Sequence, residues 1–374
     1  MTEIYLIRHT QAEGNLYRMM QGHWDGGVTA LGWQEIEALA GRFQHIPVDA
    51  VYASDLYRAR MTATAVTRWG GLPLHTRVGL REINMGRWEA AFFGNVSYEE
   101  PEATYRFLHD QEHWQVEGSE TYLQVRDRAY GELTDIATRH PGQTVAVVSH
   151  GVTIRCLLSK ITGIPLPETH RLPICNNTAV SHLYWEDGRF TVDYLNDASH
   201  LEPLNIPHWS LCADLRHTAL DPDREGDYYS DCYADAWRAS HGDLTGYTAE
   251  SYLRAARDHH LADAGAVLRM LNGEESVGLV DLDTRRGAHA GYGWVSLLYL
   301  RPDYRGKGYG VQLLGRAVAK YESLGRKAIR LHVAEENAHA RAFYEKYGFR
   351  TLSREPGSRG GLLLMEKKLE AQHE

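Results

Sequence analysis

Ile4-Tyr5-Leu6-Ile7-Arg8-His9-Thr10-Gln11-Ala12-Glu13-Gly14-Asn15 opens the chain with four apolar or aromatic residues that stop at an arginine–histidine pair. Such a run reads as a short buried strand. A strand ending in a guanidinium beside an imidazole offers one group to grip an oxyanion and another to act as nucleophile or base. An Arg-His pair arises easily in a chain with 20 histidines, so its meaning depends on what else ends the same way.

Three further stretches do. Val48-Asp49-Ala50-Val51-Tyr52-Ala53 reads as a second strand and runs into Ser54-Asp55-Leu56-Tyr57-Arg58-Ala59. There Ser54 or Asp55 is expected to cap a helix with Arg58 in its first turn, a favourable place for phosphate. Leu80-Arg81-Glu82-Ile83 sets a glutamate between apolar neighbours. Partial burial favours the protonated form of such a carboxyl and suits a general acid, although an ion pair with an arginine fits equally well. Thr144-Val145-Ala146-Val147-Val148-Ser149-His150-Gly151 is the strongest apolar run and ends at a helix start. Continuous apolar strands followed by helices are what a parallel sheet needs, and ligands bind beyond the carboxyl ends of its strands. Between these stretches, Gln21-Gly22-His23-Trp24-Asp25-Gly26-Gly27 reads as a loop. Thr29 then caps a helix carrying Trp33, Ile36, Leu39, Ala40 and Phe43 on one face.

In order and together these stretches resemble the histidine phosphatase, or phosphoglycerate-mutase-like, superfamily over residues 1 to 203. The resemblance implies a three-layer αβα domain with a mostly parallel sheet. His9 would be the nucleophile that carries a transient phosphohistidine. Arg8, Arg58 and His150 would bind the phosphoryl oxygens, and Glu82 would protonate the leaving group. Asn15, Gln21, Gly22 and Gly151 would contact the substrate, a small phosphomonoester. Two positions depart from the family pattern: Thr10 and Ala90 stand where glycine is usual. The stretch between Glu82 and His150 lacks the long insert of the mutases, which favours a phosphatase over a mutase.

The second half begins after a proline-containing linker placed at 204 to 212. Asp221-Pro222 resembles a helix start, with Tyr229, Tyr233, Ala236 and Trp237 on one face of the helix. A second helix carries Tyr252, Leu253 and Ala256, and His259-His260 after it reads as surface. Residues 266–271 and 276–282 read as a hairpin across Asn272-Gly273. Trp294-Val295-Ser296-Leu297-Leu298-Tyr299-Leu300 then enters Arg305-Gly306-Lys307-Gly308-Tyr309-Gly310, which opens a helix over Val311, Leu314, Ala317, Val318 and Tyr321, closed by Gly325. A glycine-rich turn at a helix N-terminus suits a phosphate or pyrophosphate.

This stretch, with Glu335-Glu336-Asn337-Ala338-His339-Ala340-Arg341-Ala342-Phe343-Tyr344, resembles the GNAT superfamily of N-acetyltransferases over residues 213 to 374. The resemblance implies an α+β domain whose mixed sheet splays near residue 298. Acetyl-CoA would be the acetyl donor and a small-molecule or peptide amine the acceptor. Arg305, Gly306, Lys307, Gly308, Tyr309 and Gly310 would hold the pyrophosphate, and the backbone at Leu298 and Leu300 would pair with the pantetheine arm. Asn337 would touch the cofactor, and Tyr344 would protonate the departing thiolate. The general base is left between Asp281 and Glu335. A regulatory acetyl-CoA-binding role remains the alternative for this half.

The length suggests two domains or one large one, and the composition is that of an ordinary globular protein. The chain has 374 residues, 43% hydrophobic and 24% charged, with a formal charge of −9. An acidic balance argues against a non-specific nucleic-acid binder. The apolar runs are too short to span a bilayer. Cys156, Cys175, Cys212 and Cys232 fit neither a zinc site nor a disulfide framework, so reduced thiols in the cytoplasm and no required metal are expected.

Overall fold

The protein is described from a computed structural model that covers residues 1–206 and 213–369. Cys212 and residues 207–212 of the expected linker lie outside the described residues. The chain divides into two compact units, the first taking most of residues 1–206.

The first unit runs β1 (Thr2–Arg8), α1 (Glu13–Tyr17), α2 (Ala30–Phe43), β2 (Ala50–Ala53), α3 (Tyr57–Gly70), β3 (Leu74–Thr76), α4 (Phe93–Glu99), α5 (Pro101–His109), α6 (Tyr122–Arg139), β4 (Thr144–Ser149), α7 (Gly151–Thr162), β5 (Val180–Glu186) and β6 (Arg189–Asp197). The six strands lie in the order β3-β2-β4-β1-β5-β6. The first four of that order are parallel, and β5 and β6 add antiparallel at one side.

Alternation along β1 builds the layers, because successive strand side chains point to opposite faces. Ile4 and Leu6 pack with Leu133, Ile136, Ile154 and Leu157 of α6 and α7. Tyr5 and Ile7 pack with Ile36, Leu39, Ala63 and Val66 of α2 and α3. Both faces of the sheet are therefore covered, which is why β1 and β4 read as continuous apolar runs rather than alternating ones. Thr29 caps α2, its side chain accepting from the Gly32 N–H. Trp33 leaves the expected apolar face and is 43% exposed. Thr121 and Gln124 form a capping box on α6.

The second unit runs β7 (Arg216–Ala219), α8 (Gly226–His241), α9 (Ala249–Ala262), β8 (Val267–Asn272), β9 (Glu275–Asp283), β10 (Tyr292–Leu300), α10 (Gly310–Ser323), β11 (Ala328–Ala334), α11 (Ala338–Lys346), β12 (Arg350–Gly357) and β13 (Gly360–Lys368). Its mixed sheet has the order β12-β13-β11-β10-β9-β8-β7, and within it β10 and β11 pair in parallel. The register shifts the expected hairpin turn by one residue: Asn272 pairs with Glu275, leaving Gly273-Glu274 as the turn. Helix α8 begins one turn later than Asp221-Pro222 suggested, because the Asp221 carboxylate accepts from the Asp223 N–H and closes a local turn instead. Among the described residues, no helix is long and apolar enough to cross a membrane.

Candidate active sites

In the first unit, the carboxyl ends of β1 and β4 bring His9 and His150 together, with ring centroids 5.0 Å apart. His9 Nδ1 lies 2.6 Å from the Thr10 carbonyl oxygen. A carbonyl can only accept, so Nδ1 carries the proton and Nε2 presents its lone pair. The His9 imidazole is held well below its ordinary pKa, first by burial and then by the charges of Arg58 and Arg8. The ring is therefore neutral and nucleophilic near pH 7.

His150 is fully buried, and neither ring nitrogen has a hydrogen-bond partner among the described residues; the same holds for Nε of Arg8 and of Arg58. Burial, then the charge of Arg58, also holds His150 below its ordinary pKa. Unsatisfied buried donors around a neutral imidazole fit an anion that accepts from them. Gly151 opens α7 against the Arg8 guanidinium: a Cβ built there would lie 3.4 Å from Arg8 Nε.

Arg58 is wholly buried in the first turn of α3. Its guanidinium donates to the Trp24 and Gly22 carbonyls at 3.0 and 2.8 Å and pairs with Asp25 at 3.0 Å. The expected cap of α3 by Ser54 or Asp55 is not what forms. Leu56 occupies the cap position without a side-chain bond, and the Asp25 carboxylate accepts from the Tyr57 N–H instead. Asp25 thus orients Arg58 and caps its helix from a distant loop, which no local pattern reveals.

Glu82 is 6% exposed. Among the described residues its carboxylate pairs with no arginine. It accepts from the Val152 and Thr153 N–H groups at 3.0 Å at the N-terminus of α7, while the Thr153 hydroxyl is shared between the Arg81 carbonyl at 2.8 Å and Glu82 at 3.1 Å. The backbone carbonyl of Glu82 accepts from Arg128 Nη2 at 2.9 Å and from His23 Nε2 at 3.0 Å.

Asn15 and Gln21 lie in the neighbouring loop. Their side-chain oxygens accept from the Ala12 and Gly14 N–H groups, so both brace that loop. Gly22 permits a close approach that no other residue allows: a Cβ there would lie 2.3 Å from the Ile83 carbonyl. Residues missed by the sequence reading are Asp25, Arg128, Glu89, which accepts from the N–H groups of His23, Trp24 and Met85, and Asn177, which donates to the His9 carbonyl. The pattern of arginines and histidines was visible; the groups that hold them come from loops without periodicity.

In the second unit, β10 and β11 pair only through Tyr292, Gly293 and Trp294. Beyond Trp294, β10 follows β9 to Leu300 while β11 follows β13 to Ala334. The strands thus part four residues before the expected point at 298. Leu298 and Leu300 lie on the diverging stretch. The turn after β10 places Gly306 at φ +74° and Gly308 at φ +84°, and α10 starts at Gly310 without a side-chain cap. An open wedge leading to an uncapped helix N-terminus behind left-handed glycines fits a pantetheine arm and a pyrophosphate. Lys307 and Tyr309 sit in the same turn. Arg305 departs from its expected role: Nε donates to the Leu300 carbonyl at 2.7 Å and Nη2 to Asp235 at 3.2 Å, so this guanidinium fastens the turn.

Asn337 caps α11, accepting from the Ala340 N–H, and its amide donates to the Ser240 hydroxyl at 3.1 Å. Tyr344 is buried beside Phe343 and Phe349, and burial pushes its phenol well above the usual range. Of the two candidate bases, Asp281 is fully buried and accepts from Tyr229 Oη and His259 Nδ1, both at 2.7 Å. His259 is accordingly a core residue and not a surface one. Glu335 pairs with Arg354 and lines a cavity of about 90 Å³ with Ser240, His241, Glu336 and Arg359. Tyr233 stacks on Tyr252 at 4.0 Å, and Tyr247 lies parallel to Tyr252. Among the described residues no cluster of three or more His, Cys, Asp or Glu side chains is placed to hold a metal ion.

Comparison with known proteins bears on both units. The family model for the histidine phosphatase superfamily (branch 1) matches residues 4–198, and that for the acetyltransferase (GNAT) family matches residues 226–349. The probable phosphoglycerate mutase GpmB of Escherichia fergusonii is 28% identical over 207 residues, which are 54% of this chain and 96% of that protein. Its counterpart in Salmonella typhi is 27% identical over the same shares. The solved structure of Bacillus stearothermophilus YhfR is 31% identical, with a TM-score of 0.53, and the match covers 54% of this chain and all of that one.

Proposed function

Since the chain belongs to the histidine phosphatase superfamily and carries a GNAT acetyltransferase domain besides, we propose that residues 1–203 hydrolyse a small phosphomonoester through a phosphohistidine. His9 Nε2 attacks phosphorus in line. Arg8, Arg58 and His150 take up the charge on the equatorial oxygens, and Glu82 delivers a proton to the leaving oxygen. Water then attacks the phosphohistidine, with Glu82 as base. The observation that supports this is the set of buried, unpartnered nitrogens on Arg8, Arg58 and His150 around a neutral imidazole of fixed tautomer. Phosphoryl transfer depends on such positioning and charge stabilisation.

Release of inorganic phosphate from a panel of phosphomonoesters, without added metal, tests the proposal against His9→Ala. Turnover in the wild type and none in the variant is the expected result; equal turnover in both sinks the reading. The naming of the curated relatives favours a second reading, phosphoglycerate mutation, which differs only in whether water or a substrate hydroxyl accepts the phosphoryl group. The same assay separates them, because a mutase isomerises the phosphoglycerate without net phosphate release.

For residues 213–374 the proposed reaction is acetyl transfer to an amine. Acetyl-CoA supplies the acetyl group as an activated thioester. The turn from Arg305 to Gly310 holds the pyrophosphate, Leu298 and Leu300 offer backbone groups to the pantetheine arm, and Tyr344 gives a proton to the thiolate. Burial keeps the Tyr344 phenol protonated, the form a donor needs. Tyr344→Phe is expected to lower kcat about tenfold or more at unchanged acetyl-CoA affinity, and an unchanged kcat would remove Tyr344 from the mechanism. The free thiols of Cys156, Cys175 and Cys232 accord with a cytoplasmic setting.

A further inference from the structure

Glu35 sits on α2 and is 3% exposed. Its Oε2 accepts from the Gln11 N–H at 2.7 Å and lies 2.8 Å from Thr10 Oγ1. Thr10 Oγ1 in turn lies 2.7 Å from the Gly32 carbonyl. The Thr10 hydroxyl thus makes two short contacts to oxygen, and it has one proton. That proton is shared between the Glu35 carboxyl oxygen and the Gly32 carbonyl in a three-centre bond, so Oε2 of Glu35 accepts from both Thr10 and Gln11. Burial raises the Glu35 pKa, while the hydrogen bonds from Gln11 and Thr10 and the charge of Arg8 oppose it.

This chain of bonds ends at the nucleophile. Thr10 supplies the carbonyl that fixes His9 Nδ1–H, and its own N–H donates to Thr62 Oγ1 at 2.8 Å. Thr62 Oγ1 donates to the Arg58 carbonyl at 2.7 Å. Thr10 is therefore held from α2 through Glu35 and from α3 through Thr62, and it holds His9.

We infer that Glu35 is a positioning residue for His9, whose acceptor oxygen, and not its charge, locks the Thr10–Gln11 backbone. The inference rests on His9 being the nucleophile. It also explains how threonine serves at position 10: its hydroxyl is the link to α2.

The test is phosphomonoester turnover by the full chain carrying Glu35→Gln, Glu35→Ala or Thr10→Val, with His9→Ala alongside. Glutamine keeps a neutral acceptor for the Gln11 N–H and the Thr10 hydroxyl, so kcat should stay within about threefold of wild type. Glu35→Ala strands the Gln11 N–H and loosens His9, so kcat should fall at least about tenfold, with KM changed less than about threefold because Arg58 and His150 still grip the phosphate. Should the alanine variant not fold, Thr10→Val carries the same expectation. Glutamine as damaging as alanine would show that a charge is needed and overturn the inference; so would wild-type kcat in Glu35→Ala or Thr10→Val. Turnover surviving in His9→Ala would instead refute the proposed phosphohistidine reaction, whatever the Glu35 variants do.

Discussion

Asp25→Ala removes two contacts at once. The carboxylate pairs with the Arg58 guanidinium, which has no solvent exposure, and it accepts from the N–H of Tyr57 at the start of α3. Removing one partner of a buried pair costs about 3–5 kcal/mol, because an uncompensated charge stays behind. Arg58 keeps its contacts to the Trp24 and Gly22 carbonyls, so the lower end, about 3 kcal/mol, applies. Loss of the helix cap adds about 1 kcal/mol. A total near 4 kcal/mol corresponds to a fall of about 8–16 °C in the melting temperature of a unit this size. Asp25→Asn should recover the cap but not the charge and lose about 3 kcal/mol. The assay is thermal unfolding of the full chain followed by a probe of the first unit, together with kcat/KM on the best phosphomonoester, which should drop about tenfold or more as Arg58 loses its orientation. A melting temperature within about 2 °C of wild type, equivalent to under 1 kcal/mol, would refute the idea that Asp25 holds Arg58 in place.

Three other outcomes follow from single contacts. Ala90 lies at φ +60°, a left-handed conformation that costs a side chain about 1–2 kcal/mol, so Ala90→Gly should stabilise the chain by about 1 kcal/mol in urea unfolding; a destabilised variant contradicts this. His200 takes a hydrogen bond from Arg42 on Nδ1 and lies against Thr178 through Nε2, and burial, then the Arg42 charge, lowers its pKa to about 4. The unfolded state then binds more protons below the ordinary histidine pKa of 6.5. Stability should therefore be full above that pH and decline as pH falls toward 4, and His200→Gln should flatten the decline in a pH series of urea melts. Gly22→Ala should cut kcat/KM sharply, because its Cβ would press on the Ile83 carbonyl beside Glu82; normal activity would show that this loop yields.

Much of the fold and of the candidate site was legible in the sequence. Parallel strands buried on both faces give uninterrupted apolar runs, so β1 and β4 were plain, and the residues at their carboxyl ends, Arg8, His9 and His150, are brought together. The glycine turn before α10 was equally plain because left-handed backbone selects glycine. What could not be read is what depends on long-range partners. Asp25 caps α3 from a loop, Arg305 turns away to Leu300 and Asp235, and His259 is drawn into the core by Asp281. In each case the local sequence offered a nearer or more exposed partner, and tertiary contacts supplied a better one. The departure at position 10 carried information of its own: threonine marks the link to Glu35.

The measurement that tests the central claim most directly is capture of the covalent intermediate. The protein is mixed with its best phosphomonoester, quenched in alkali, which preserves phosphohistidine, and its peptides are analysed by mass spectrometry. The account predicts one added phosphoryl group on His9 in the wild type, none in His9→Ala, and formation fast enough to support turnover. Turnover without a phosphorylated His9 peptide, or with the label on another residue, would contradict it.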